Sequence, residues 1–232
     1  MAFLVIDTST DQSAVGILPD AGPPAAAPPG AGRRHGRDLL PCIRDLLSRQ
    51  GLTVTDLSVV AVGLGPGSYT GLRIGLTAAR VLAYVTGADL LGFDSLQGWA
   101  HEAPADVCRV HVVADAQRGD VYAADFLRRG PGEPLEAVAP SRIESLAAWS
   151  GRLGEPGLIV GPGLESPTIR NAVPSALATL QFPASHSRAF ALLGLARELW
   201  HSGRRDDLWT LEPNYLRRSA AEDLWEARGH KP

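Results

Sequence analysis

The residues of this chain best placed for chemistry are two carboxylates at strand ends. Asp7 closes the apolar run Phe3-Leu4-Val5-Ile6 and leads into Thr8 and Ser9. Asp115 closes Val110-His111-Val112-Val113-Ala114 and leads through Gly119 into a second run, Val121 to Phe126. A third turn, Gly161-Pro162-Gly163, breaks the buried-strand pattern Leu158-Ile159-Val160. Carboxylates that hold a cation, beside glycines that admit a phosphate, are what nucleotide chemistry requires. Asp7, Thr8, Ser9, Asp115, Gly161 and Gly163 therefore form a candidate nucleotide site, at least a vestigial one. Against it, Asp before a turn is a common turn former, and the first turn has no glycine to bring its backbone close to a phosphate.

Other reactive groups fall into no familiar pattern. Lys231 is the only lysine, which removes a P-loop lysine, a Schiff-base lysine and a lysine general base. The histidines at 35, 101, 111, 186, 201 and 230 form no HxxxH or HxxH pair, so no metal site is expected. Cys42 and Cys108 have no CxxC spacing. Ser68 sits among glycines, but Gly65-Pro66-Gly67-Ser68 is not the GxSxG elbow of a hydrolase.

The elements that must position these residues follow from periodicity. Phe3 to Ile6 and Ala14 to Leu18 read as a hairpin, followed by a Pro/Ala/Gly-rich loop over 19–34. Asp38 can cap a helix carrying Leu39, Leu40, Ile43, Leu46 and Leu47 on one face, with Pro41 in its first turn and Gly51 at its end. Val59 to Val62 is a strand that turns through Gly65-Pro66-Gly67-Ser68 into a second helix reaching about Val85. Such a turn aims unpaired N–H groups at one point, either to hold an anion or to fix the helix against a neighbour. Within that helix Gly71, Gly75, Ala79 and Ala83 recur every four residues and form a stripe of small side chains. Glycine inside a helix costs about 1 kcal/mol against alanine, so close packing must offset it. The neighbour is either another chain or an internal helix or sheet of this one. If it is another chain, Gly75→Leu is expected to block association and leave the monomer folded.

From residue 100 the pattern restarts, with strands at 110–114 and 121–126, a short helix from Ser141 to Trp149, the strand at 158–160 and a helix from about Arg188 to Trp200. Two related α/β halves are expected. A net charge of -3 gives no overall basic footprint for stand-alone nucleic-acid binding, although arginine pairs occur, Arg217-Arg218 among them. No basic n-region precedes the first strand and no apolar run spans a bilayer, so a cytoplasmic protein without a membrane partner is expected.

Together, Phe3 to Ser9, His35 to Pro41, Gly65 to Gly75, Asp115 to Tyr122, and Glu212-Pro213-Asn214-Tyr215-Leu216-Arg217 with Ala221-Glu222 resemble the TsaB family, also called YeaZ. The resemblance implies an α/β, actin-like ATPase (ASKHA) fold: two related lobes, each a mixed β-sheet flanked by helices. The lobes would be 1–100 and 101–232, with a helix at about 187–203 packing back on the first. It further implies a catalytically inactive subunit without a cofactor. Its partner would be TsaD, the subunit that transfers a threonylcarbamoyl group to the adenosine next to the anticodon of ANN-decoding tRNAs. TsaE, a small ATPase, joins the larger complex, and tRNA is met only there. In the family the first two helices pair with those of TsaD, and the same face supports a homodimer. The matching residues here are Leu39, Leu40, Ile43, Leu46, Leu47, Gly71, Leu72, Gly75, Leu76, Ala79 and Ala83. The rival reading is an enzyme in its own right, an actin-like ATPase or an M22-type metallopeptidase homologue. The family's usual third strand is replaced by the 19–34 segment.

Overall fold

The computed structural model describes residues 1–28, 35–181 and 188–217. Part of the Pro/Ala/Gly-rich segment, the His35 side chain, and Arg218, Ala221 and Glu222 lie outside the described residues. The first sheet is built from β1 (Ala2–Asp7), β2 (Ala14–Leu18), β3 (Ala25–Ala26), β4 (Leu57–Gly63) and β5 (Asp89–Phe93). Between its strands run α1 (His35–Arg49) and α2 (Tyr69–Thr86), and α3 (Ser95–Ala100) follows it. The second sheet uses β6 (Arg109–Gln117), β7 (Asp120–Leu127), β8 (Glu136–Ala137), β9 (Arg142–Ser145), β10 (Leu158–Val160) and β11 (Ala178–Thr179). Its helices are α4 (Leu146–Arg152), α5 (Pro167–Ala172) and α6 (Ala189–His201).

The two sheets repeat one topology. In the first the order is β3-β2-β1-β4-β5, with β1 antiparallel to β2 and parallel to β4. In the second the order is β11-β10-β6-β7-β8, with β6 antiparallel to β7 and parallel to β10. Both hairpins are largely apolar on both faces because each sheet is covered on both sides, with His111 and Asp125 as a buried polar pair in the second. On the first sheet, α1 and α2 cover Leu4, Ile6, Val60 and Val62, and α6 covers Phe3, Val5, Val59 and Ala61. On the second, α4 and α5 cover Val113, Val121 and Ile159, and α3 covers Val110, Val112 and Ala124. The third helix of each half thus packs on the sheet of the other half.

Three local expectations need correction. Ala25–Ala26 is a short strand, not loop, because its backbone pairs with Gly16 and Ile17 at the open edge of β2. Arg142–Ser145 is a strand against β7, and the helix starts after it, where Ser145 accepts a hydrogen bond from the Ala148 amide. The first helix begins at His35, so Asp38 lies inside its first turn and Pro41 in its body. Among the described residues no helix is long and apolar enough to cross a membrane.

Candidate functional site

The small-residue stripe of α2 is filled by its own chain. A Cβ on Gly71 would lie 2.1 Å from the Thr8 carbonyl oxygen, and one on Gly75 would lie 2.3 Å from Thr8 Oγ1. Thr8 is fully buried and donates its hydroxyl proton to the Gly71 carbonyl at 2.7 Å. Gly67 meets Ser9 in the same way, and the Ser68 amide donates to the Ser9 carbonyl at 2.7 Å. The glycine segment is therefore a socket for the turn after β1. Ala79 and Ala83 continue the stripe into the same core.

The remaining interface expectation is corrected by burial. Leu39, Ile43, Leu46, Leu47, Leu72 and Leu76 are all core residues of this chain, and only Leu40 of that set is exposed. These helix faces are apolar, and this chain's own core covers them. The uncovered face of α2 lies on the opposite side of the helix. Val81, Tyr84 and Val85 there are 55%, 67% and 62% exposed, too much apolar surface to need no explanation. Trp209, 73% exposed, adds to it by packing edge-on against Tyr84 at 5.8 Å. Asp207 fixes that tryptophan by accepting from the Trp209 and Thr210 amides at 3.0 and 2.9 Å. Sequence reading missed Trp209 because the tail carries no periodicity. A bulky aromatic beside a turn-forming aspartate was the available signal.

Asp7 is not a cleft residue. It is fully buried, and one oxygen accepts from the Ser9 amide at 2.8 Å and the Ser95 hydroxyl at 3.3 Å. The other oxygen accepts from Arg188 Nη1 at 2.9 Å. The Arg188 guanidinium, itself only 4% exposed, also lies 4.2 Å from the Trp99 ring centre. This carboxylate already has its cation. Arg188 was invisible in the sequence, since 181 positions separate the pair.

Between the lobes lies a cavity of about 770 Å³. Of the six candidate nucleotide residues, only Ser9 and Asp115 line it. Thr8 is turned into the α2 socket, and Gly161 and Gly163 press against the backbone of Val113 instead of opening toward the cavity. Asp115 is exposed, and one of its oxygens accepts from the Gln117 amide at 2.6 Å. Asp7 is thus held by Arg188, and Thr8, Gly161 and Gly163 do not open into the cavity. Among the described residues no three His, Cys, Asp or Glu side chains converge as metal ligands.

A second charged cluster lies on the α4 face of the second sheet. Asp125 accepts from His111 Nδ1 at 2.7 Å and from Arg152 at 2.9 Å, and Arg142 joins both Asp125 and Glu144. Burial pushes the Asp125 carboxyl up, but hydrogen bonds from His111 and Arg142 and the charges of Arg152 and Arg142 hold it well below the usual range. A depressed carboxylate stabilises the fold above its unfolded pKa, about 3.9, and that contribution fades as pH falls. Asp125→Asn is therefore expected to cost about 2 kcal/mol at neutral pH through lost charge-assisted hydrogen bonds. In urea titrations the gap from wild type should close as pH drops below about 4.

A two-lobed, duplicated α/β chain with a cleft between the halves has the actin-like ATPase fold. A family model described as "TsaD: tRNA N6-adenosine threonylcarbamoyltransferase" matches residues 25–199. The tRNA threonylcarbamoyladenosine biosynthesis protein TsaB of Escherichia coli is 31% identical over 95% of this chain and 96% of its own. The Bacillus subtilis protein of that name is 30% identical over 97% and 98%. A solved structure, YeaZ from Pseudomonas aeruginosa, superposes with a TM-score of 0.74 at 25% identity, covering 93% of this chain and 99% of that one. The chain belongs to the TsaB family, inside the wider group that the TsaD model describes.

Proposed function

We propose that this chain is a non-catalytic TsaB subunit that binds TsaD and supports formation of threonylcarbamoyladenosine next to the anticodon of ANN-decoding tRNAs. The observation that carries the reading is the closed state of the cleft chemistry: Asp7 is neutralised from within by Arg188. The apolar face left over on α2 then has a use as the partner surface. It comprises Val81, Tyr84, Val85 and Trp209, with Leu40 on α1 as the one retained member of the expected set. A long-lived subunit contact of this kind is centred on buried aromatic anchors. The same face serves a homodimer when TsaD is absent, and TsaE and tRNA are met only through the complex. Its work is cytoplasmic, where tRNA is.

Tyr84→Asp is the direct test, because Tyr84 is solvent-exposed and its loss leaves the core intact. The variant should fold and melt like wild type by circular dichroism. Its affinity for co-expressed TsaD should fall about 100-fold, as for an anchor residue. Threonylcarbamoyladenosine in cells relying on it, measured by nucleoside mass spectrometry, should fall accordingly. Undiminished complex would move the interface elsewhere. The enzyme reading stands or falls by calorimetry: turnover of ATP with magnesium by the isolated chain would replace the subunit role.

A further inference from the structure

We infer that Arg217 latches the two lobes together, so that this chain supplies from its own side chains the bridge that a cleft ligand supplies in two-lobed enzymes. In such proteins a bound ligand touches both walls and thereby selects the closed state. Here the carboxylate that would anchor one wall is consumed by Arg188, yet the walls remain joined.

The joint is made by the strap that follows α6. It is first pinned to the first lobe. The Asp206 amide donates to the Leu90 carbonyl at 2.9 Å, and the Asp206 carboxylate accepts from the Gly92 amide at 2.7 Å, covering the outer edge of β5. Farther on, the Asn214 amide donates to the Leu64 carbonyl at 2.7 Å, and Tyr215 stacks on Tyr69 with ring centres 4.6 Å apart. Within two residues the strap changes lobes. Leu216 packs against the core of the second lobe, and Arg217 donates to Asp120 at 2.6 Å and to the Gln117 carbonyl at 3.2 Å. Across the cavity a second bridge closes the far rim, where Gln12 donates to Glu165 at 2.9 Å.

The landing point of Arg217 is itself unusual. Gln117 and Arg118, at the tip of the β6–β7 hairpin, both have left-handed backbone, with φ of 66° and 58°. Neither is a residue that adopts this conformation readily, so its surroundings must hold it. The Asp115 carboxylate holds the Gln117 amide and Arg217 holds the Gln117 carbonyl. The latch thus fixes the lobe angle and the conformation of the loop that walls the cleft. Lobe closure is constitutive and does not wait for a nucleotide.

Hydrogen–deuterium exchange on the full chain tests this with Arg217→Ala, Arg217→Lys and the double variant Gln12→Ala/Arg217→Ala. Losing a charge-assisted bridge should speed exchange in peptides covering 115–119 and 9–12 about tenfold in Arg217→Ala. The double variant should exchange faster still. Lysine keeps the ion pair and loses the forked reach to Gln117, so it should fall between. Amides of β1 and β6 should keep wild-type rates, and small-angle scattering should show a larger radius of gyration for the double variant. ATP with magnesium should change none of the wild-type values. Unchanged tip exchange and radius in the double variant would overturn the latch. So would equal acceleration of β1, β6 and the tips in all three variants, which would make Arg217 an ordinary fold-stabilising residue.

Discussion

Gly75→Leu is expected to unfold the monomer rather than release a partner, and Gly71→Ala to destabilise it measurably. At position 71 even a methyl group would sit 2.1 Å from a backbone oxygen of Thr8, which has no rotamer by which to retreat. The turn after β1 would have to lift from the helix, breaking the hydrogen bond from Thr8 to the Gly71 carbonyl. Overpacking of this kind costs about 1–3 kcal/mol and the lost buried bond about 1 kcal/mol more. Alanine returns only about 1 kcal/mol of helix propensity. Packing therefore wins, with a net loss of about 1–3 kcal/mol for Gly71→Ala, or roughly 2–12 °C in Tm for a chain of this size. At position 75 the first atom met is the Thr8 hydroxyl, 2.3 Å away. Gly75→Ala should thus be milder, because that side chain can rotate, whereas the larger leucine finds no space. Thr77→Ala, on the outer face of the same helix, should leave Tm unchanged. Thermal melting by circular dichroism ranks the four. A folded Gly75→Leu monomer would restore the intermolecular explanation of the stripe.

Arg188→Ala should cost about 3–5 kcal/mol, the range for breaking a buried pair from one side. The expense lies in the partner left behind. Asp7 would remain fully buried with only the Ser9 amide and the Ser95 hydroxyl to hold its charge. Two apolar residues of similar shape avoid that penalty, so Asp7→Leu/Arg188→Leu should be more stable than Arg188→Ala alone. Chemical unfolding of Asp7→Leu, Arg188→Leu and the double variant closes the cycle. Strictly additive losses would mean that the pair is not coupled, and the claim that Arg188 stands in for a cleft cation would fail with it.

How far the sequence could be read depended on the range of each interaction. Strand and helix periodicity is local, and it located β1, β2, β4, β6, β7, β10, α2 and α6 to within a few residues. The hydrophobic face of α1 was legible for the same reason. What periodicity reports is that a face is buried, not which surface buries it. Leu39, Ile43, Leu46 and the α2 stripe were therefore assigned to a partner while their own sheet covers them. Two-residue strands such as β3 and β8 carry no pattern at all, since their pairing is set by the neighbouring edge. The Asp7–Arg188 pair and the Arg217 latch join residues far apart in sequence, and nothing local announces them.

The exchanged third helices have a consequence for how this molecule can be made. Phe3, Val5, Val59, Ala61, Leu91 and Phe93 are sealed by α6, whose residues come off the ribosome long after the sheet they cover. A nascent first half exposes a greasy plane until α6 has been made, so completion of the first sheet waits for synthesis of the second. Splitting the gene between the two sheets would yield fragments that each carry the other's cover, soluble only when they meet.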